Sequence, residues 1–221
     1  LVGSEMCIRD RMKRLLFLLS FLLLAGCAAP TLRGTGDLGV VIERGSGHVT
    51  LVDTTQRQPY ARIGGLGDLS HASVVFSRDG RHAYVFGRDG GLTKIDLLQA
   101  TVVGRVLQSG NAIGGSISQD GRIVVAQNYT PGGIKAFDAG TLELLSEVPA
   151  EYAPGSFSKV VGLVDLSGNR FAYALFDGGE IWVSDLSDPR RPQTQRFAAG
   201  LQPYDGLVTP DGRYYLAGLF G

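Results

Sequence analysis

Beyond residue 37 the chain is written in short apolar runs cut by glycine and aspartate, and no window sustains a 3.6-residue apolar period. In His82-Ala83-Tyr84-Val85-Phe86 successive side chains alternate sides of a strand, Gly90-Gly91 turns the chain, and Leu92-Thr93-Lys94-Ile95-Asp96 returns. Gly132-Gly133 and Gly178-Gly179 make the same turn ahead of Ile134-Lys135-Ala136-Phe137 and Ile181-Trp182-Val183. Glycine suits such hairpins because a positive φ costs it little. Val, Ile, Phe and Tyr on both faces of these strands fit sheets that stack on other sheets. The pattern predicts an all-β chain.

Two landmarks repeat along it. Turn glycines fall at Gly80, Gly121, Gly168 and Gly212, spaced by 41, 47 and 44 residues. Strand-ending aspartates fall at Asp53, Asp96, Asp138 and Asp185, spaced by 43, 42 and 47. Two interleaved series with one period in the forties, and several short strands per unit, read as β-propeller blades. Residues 38–221 then make about four blades and the start of a fifth. Residue 221 falls in the second strand of that unit, so the reading is a partial propeller lacking its C-terminal blades.

The first residues read as an address rather than a fold. Met12-Lys13-Arg14, the apolar run 15–24 and Ala25-Gly26 give the three parts of a secretory signal over 12–26. Ten helical residues span about 15 Å, roughly half a bilayer core, which is too short for a permanent membrane span. Leu24-Ala25-Gly26-Cys27 resembles the bacterial lipobox, which implies cleavage before Cys27, its acylation, and a tethered periplasmic protein. Ala28, where an aspartate would favour inner-membrane retention, points to the outer membrane. Residues 27–37 serve as the lipidated cysteine and a spacer. Residues 1–11 lie upstream of a complete signal and read as an artefact or upstream mis-start.

Charge and cysteine content narrow the functions. Twenty-one basic residues balance 21 acidic ones, and removal of the signal leaves a net charge of −2. No basic stripe exists to displace counterions from phosphates, which argues against nucleic acid as a partner. The 32 glycines are about twice the usual share and belong to the turns. Cys7 and Cys27 are the only cysteines, so no disulfide, thiolate metal site, cysteine nucleophile or Cys-x-x-Cys-His haem attachment is available to the domain.

The candidate chemistry sits where inner strands begin. Counting back nine residues from each turn glycine gives His71, Ala112, Lys159 and Pro203, which should ring one mouth of the central channel. His71 can reach a ligand there, or can cap its own loop. His48 falls at a hairpin facing solvent, and His82 shares a strand face with Tyr84 and Phe86, which suits packing between blades. Arg44 and Arg88 precede matching turns, in Glu43-Arg44-Gly45-Ser46-Gly47 and Gly87-Arg88-Asp89-Gly90-Gly91, with Tyr129 and Phe176 at the equivalent places in the next units. A guanidinium there could hold a ligand carboxylate or pair with a turn aspartate such as Asp89. Lys159 and Asp165 could handle protons, though structural turn roles suit them better. No zinc spacing, phosphate loop or nucleophile elbow appears, and Ser70-His71 has no third partner.

The run from Gly67 to Leu97, Gly110 to Arg122, Val160 to Asp165, Gly179 to Ser187 and Gln202 to Gly221 together resemble the haem d1 biosynthesis proteins of the cytochrome d1-type haem-domain propeller family. The likeness runs from about Gly34 to the last residue and implies an eight-bladed propeller in the family. In the related periplasmic nitrite reductase, a second-blade histidine ahead of a Gly-Arg-Asp-Gly turn is the proximal ligand of the haem d1 iron, so the resemblance implies that role for His71. It implies carboxylate contacts for Arg88 and Arg44, and a pocket-lining place for Tyr129. Val74 and Gly115 stand where the reductase carries further pocket arginines.

The function these features imply is a periplasmic lipoprotein binding a late haem d1 precursor, dihydro-haem d1, in the channel for maturation or handover. Its partners would be that d1-type tetrapyrrole, other haem d1 maturation proteins, nitrite reductase, and the membrane through the lipid anchor. Binding and handover are favoured over catalysis, because a redox step needs an electron acceptor and no c-type haem motif is present. The alternative is a protein-interaction propeller without bound tetrapyrrole. A nitrite-reductase-like enzyme fits less well, since an electron-entry domain is missing.

Overall fold

The computed structural model describes residues 34–221. The signal (12–26), Cys27 and most of the spacer lie outside the described residues. Thr35–Asp37, assigned to the spacer from sequence, form a single 3-10 turn. The Asp37 carbonyl accepts the backbone N–H of Thr54 at 2.8 Å, which ties this turn to the first sheet.

All regular structure beyond that turn is antiparallel β. The first sheet holds three strands, β1 (Leu38–Glu43), β2 (His48–Asp53) and β3 (Gln58–Ile63). Three four-stranded sheets follow in meander order. They are β4 (Ser73–Phe76) to β7 (Thr101–Leu107) through β5 (His82–Phe86) and β6 (Gly91–Asp96), then β8 (Asn111–Ile117) to β11 (Leu144–Val148) through β9 (Ile123–Thr130) and β10 (Gly133–Asp138). After a small hairpin of β12 (Glu151–Ala153) and β13 (Ser156–Phe157) comes β14 (Val160–Leu166) to β17 (Gln193–Ala198) through β15 (Arg170–Leu175) and β16 (Glu180–Asp185). β18 (Pro203–Val208) and β19 (Tyr215–Leu219) pair as a two-stranded fifth sheet. The chain is an all-β propeller of stacked blades. The first blade differs from the predicted unit: Asp53 ends β2 as Asp96 ends β6, so β1, β2 and β3 match the outer three strands of a blade.

Both repeat landmarks are turn devices. Gly80, Gly121, Gly168 and Gly212 all take φ between +69° and +75°, the left-handed region that a tight turn between inner and second strands requires. In the Ser-x-Asp-Gly turns the aspartate accepts from the hydroxyl two residues before it and the N–H two residues after it, as at Ser118, Asp120 and Arg122. Asp96 accepts the N–H groups of Leu98 and Gln99 at 3.0 Å, and Asp138 those of Gly140 and Thr141, while Asp53 accepts from Gln56 and Asp185 from Ser187.

The cores lie between blades. Val49, Leu51, Ala83 and Ile95 fill the first interface; Tyr84, Phe86, Leu92 and Val124 the second; Val125, Ile134, Phe171 and Tyr173 the third. Every residue of β6 is buried, as a strand covered on both faces must be. Lys94 is accommodated there because its ammonium donates to the carbonyls of Ala139 and Gly140 in the next blade, both at 2.9 Å.

Candidate functional site

Inner strands begin, and second strands end, at one rim of the blades. Four backbone bonds link these two series: Arg88 N–H to Asp68 O (2.7 Å), Ala112 N–H to Arg88 O (3.3 Å), Phe176 N–H to Lys159 O (3.1 Å) and Phe220 N–H to Gln202 O (3.1 Å). Arg88, Tyr129, Phe176 and Phe220 each stand eight residues after their turn glycine, so they repeat around this rim. His71 and Lys159 stand nine residues before theirs, two blades apart. The structure therefore places His71, Arg88, Tyr129 and Lys159 at the same mouth. Arg44 follows β1 as Arg88 follows β5 and is exposed there.

His71 sits in the turn leading into β4 and is exposed. Among the described residues no hydrogen bond or ion pair engages its imidazole. Its loop is held from both sides. Gly67 has φ +83°, and a Cβ there would lie 2.1 Å from the Asp89 carboxylate. Asp89 in turn pairs with Arg105 at 2.7 Å, and Arg105 also donates to the Leu66 carbonyl at 3.2 Å. Asp89 thus serves the loop that carries His71, and among the described residues Arg88 has no carboxylate within 4 Å, although its charge helps the Ser70 hydrogen bonds hold the Asp68 carboxyl below its ordinary value. The Arg88 guanidinium lies 5.6 Å from the centroid of the Tyr129 ring.

Tyr204 was not singled out from sequence, and it completes the mouth. Its hydroxyl lies 3.0 Å from that of Tyr129, joining the third and fifth blades across the fourth. Its ring packs edge-on against Phe176 (5.7 Å) and Phe220 (5.0 Å). Burial pushes the Tyr129 phenol above its ordinary range, and the bond to Tyr204 adds to this, so Tyr129 stays neutral. Beside the aromatic group a cavity of about 440 Å³ opens between the rim residues Phe176, Gly179, Gly200 and Gln202.

Other candidates have structural roles. Asp165 accepts Arg78 at 2.9 Å and Ser116 at 3.1 Å, and Arg78 also donates to the carbonyls of Ile117 and Ser118. That clamp lies at the far ends of the inner strands. His48 bonds the Ser46 carbonyl at 2.6 Å, and His82 lines a cleft between the second and third blades with Tyr84 and Lys94. Val74, Gly115, Gly162 and Gly206 all stand six residues before their turn glycines. A Cβ on Gly115 would meet Phe86 at 2.2 Å and the Val125 carbonyl at 2.3 Å, so this position faces the neighbouring blade and takes no arginine. No group of three or more His, Cys, Asp or Glu among the described residues is placed to hold a metal ion.

Residues 33–221 match the model of the cytochrome D1 heme domain family. The chain belongs to this family. It is 61% identical over 203 residues to Protein NirF of Pseudomonas aeruginosa and 58% identical over 202 residues to Protein NirF of Stutzerimonas stutzeri, covering 90% of this chain and 52% of each relative. The chain spans about half the length of these curated relatives. Among solved structures it is similar to the dihydro-heme d1 dehydrogenase NirN in complex with DHE, with 33% identity, a TM-score of 0.77, and coverage of 89% of this chain and 42% of that one. The rim of this chain presents the His71 imidazole, which makes no hydrogen bond among the described residues, the Arg88 guanidinium against Tyr129, and the aromatic group of Phe176, Tyr204 and Phe220.

Proposed function

We propose that the chain binds a late haem d1 precursor of the dihydro-haem d1 type at this mouth and holds it for maturation or handover. His71 would supply an imidazole to the iron, Arg88 and Arg44 would hold macrocycle carboxylates, and Tyr129 would line the pocket. When bound, the tetrapyrrole brings its own redox-active iron, while this chain binds and orients it and limits its access to water. The observation that carries the reading is the exposed His71, free of hydrogen bonds among the described residues, at the rim that also carries Arg88, in a chain that belongs to the cytochrome D1 heme domain family. The likeness to a dehydrogenase solved with DHE supports the ligand class. We also propose, from the sequence of residues 12–27, that the protein is tethered in the periplasm through Cys27, with other haem d1 maturation proteins and nitrite reductase as its partners.

The test is an absorption titration of the full chain with dihydro-haem d1, beside His71→Ala. Wild type should give a saturable band shift near one equivalent. His71→Ala should lose the ligation bands while its melting temperature is kept, because an exposed turn residue carries little packing. A variant with the wild-type spectrum refutes the ligand assignment. A folded wild type with no band shift leaves the interaction propeller as the better reading.

A further inference from the structure

The mouth has a second pole. Lys159 occupies the register of His71 two blades on, just ahead of β14. Its ammonium lies 4.4 Å from the centroid of Phe176, whose ring is in turn packed against Tyr204 and Phe220. The nearest carboxylate oxygen is Asp177 Oδ1 at 3.6 Å, beyond hydrogen-bonding distance, while Asp177 Oδ2 accepts the backbone N–H of Lys159 at 3.0 Å. Among the described residues none of the three ammonium protons meets an acceptor. Many cations elsewhere are tied more closely, although Lys135 and Arg190 meet their carboxylates only at 3.4 and 3.8 Å and Arg213 rests on the Tyr214 ring. Arg62, Arg78, Arg81, Arg105, Arg122 and Arg196 each hydrogen-bond a carboxylate within 3.0 Å, and Lys94 uses two backbone carbonyls.

An ammonium steered by an aspartate but not bonded to it, beside an exposed aromatic surface, is arranged for an anionic group on a flat apolar body. Arg88 offers the same combination with Tyr129 at the other end of the aromatic run, and the Tyr129–Tyr204 hydrogen bond joins the two ends. We propose that Lys159 is a further carboxylate anchor of the mouth, at the end of the aromatic run away from Arg88. It selects a macrocycle with acidic groups on two opposed edges, while Phe176 and Tyr204 take up the apolar perimeter between them. This deepens the tetrapyrrole reading and rests on it.

The experiment titrates wild type, Lys159→Met and Lys159→Arg, all as the full chain, with two probes: dihydro-haem d1 and its fully methyl-esterified form. Lys159→Met should weaken binding of the free acid roughly tenfold, the size of one partly exposed charge-assisted contact, and leave the ester unchanged. Lys159→Arg should recover most of the loss, and the wild-type preference for acid over ester should shrink in Lys159→Met. Equal weakening of both probes, or an unchanged affinity for the acid in a variant that melts like wild type, overturns the anchor while leaving the tetrapyrrole reading intact. Failure of folded wild type to bind the acid overturns both.

Discussion

Gly115→Ala tests the packing that sets the shape of the mouth. Gly115 lies in β8, opposite Ala126 of β9, and its backbone needs no left-handed conformation. The penalty for a side chain there is therefore purely steric. The new methyl would sit 2.2 Å from Phe86 Cζ and 2.3 Å from the Val125 carbonyl oxygen, more than 1 Å inside ordinary contact for both. Phe86 is fully buried among Tyr84, Leu92 and Val124, so its ring has no solvent to swing into. The Val125 carbonyl belongs to the β8–β9 ladder and cannot retreat without breaking pairing. Overpacking of this kind costs about 1–3 kcal/mol, and with two rigid neighbours the upper end is expected. The lower entropy of an unfolded alanine returns only about 0.4–1 kcal/mol. A net loss near 2 kcal/mol lowers the melting temperature of a domain this size by about 4–8 °C. Calorimetry of wild type, Gly115→Ala and the control Gly110→Ala measures it; at Gly110 a methyl meets nothing within 4 Å. If Gly115→Ala melts with the control, the interblade contact is wrong, and so is the reason given for the missing arginine.

Two further outcomes follow from the same geometry. Burial, reinforced by the charge of Lys94, holds the His82 imidazole below its ordinary value of 6.5. On acidification the unfolded chain takes up this proton first, so stability should fall from about pH 6.5 down through the lowered folded value, and His82→Gln should flatten that part of a denaturation series; an unchanged slope in the variant refutes it. Asp165→Asn should cost about 1 kcal/mol, because Arg78 and Ser116 lose a charged acceptor in a clamp whose side chains are 44% and 29% exposed for Arg78 and Asp165. Since the clamp lies at the opposite rim, the tetrapyrrole titration should not move, and a weakened affinity would return Asp165 to the list of site residues.

The propeller was legible because its turns impose strict local chemistry. A left-handed turn admits glycine, and an aspartate two or three residues ahead of free N–H groups fixes the end of a strand, so both leave marks at a constant period. The longest interval, 47 residues between Gly121 and Gly168, contains the extra β12–β13 hairpin. Strands of three and two residues have no periodicity to read, and the hairpin was invisible except as that added length. His71 and Arg88 were legible as rim positions, but their availability was not. It depends on Arg105, 16 residues from Asp89 along the chain, capturing the aspartate that might have neutralised Arg88.

Tyr204 shows the same limit from the other side. Its contact with Tyr129 spans 75 residues and skips a blade, which only the curvature of the stacked sheets brings about. Local pattern finds which residues repeat at a rim; it does not find which of them touch across it. The pairing of charges supplies the missing criterion. Arg62, Arg78, Arg81, Arg122, Arg170 and Arg196 are bonded to carboxylates or carbonyls, whereas Arg88 and Lys159 rest against aromatic rings with no side-chain hydrogen bond among the described residues. A folded chain gains little by leaving the donors of Arg88 and Lys159 without a hydrogen-bonded carboxylate at one mouth, with Asp89 next to Arg88 in sequence and Asp177 only 3.6 Å from the Lys159 ammonium, unless those donors are used by something that enters there.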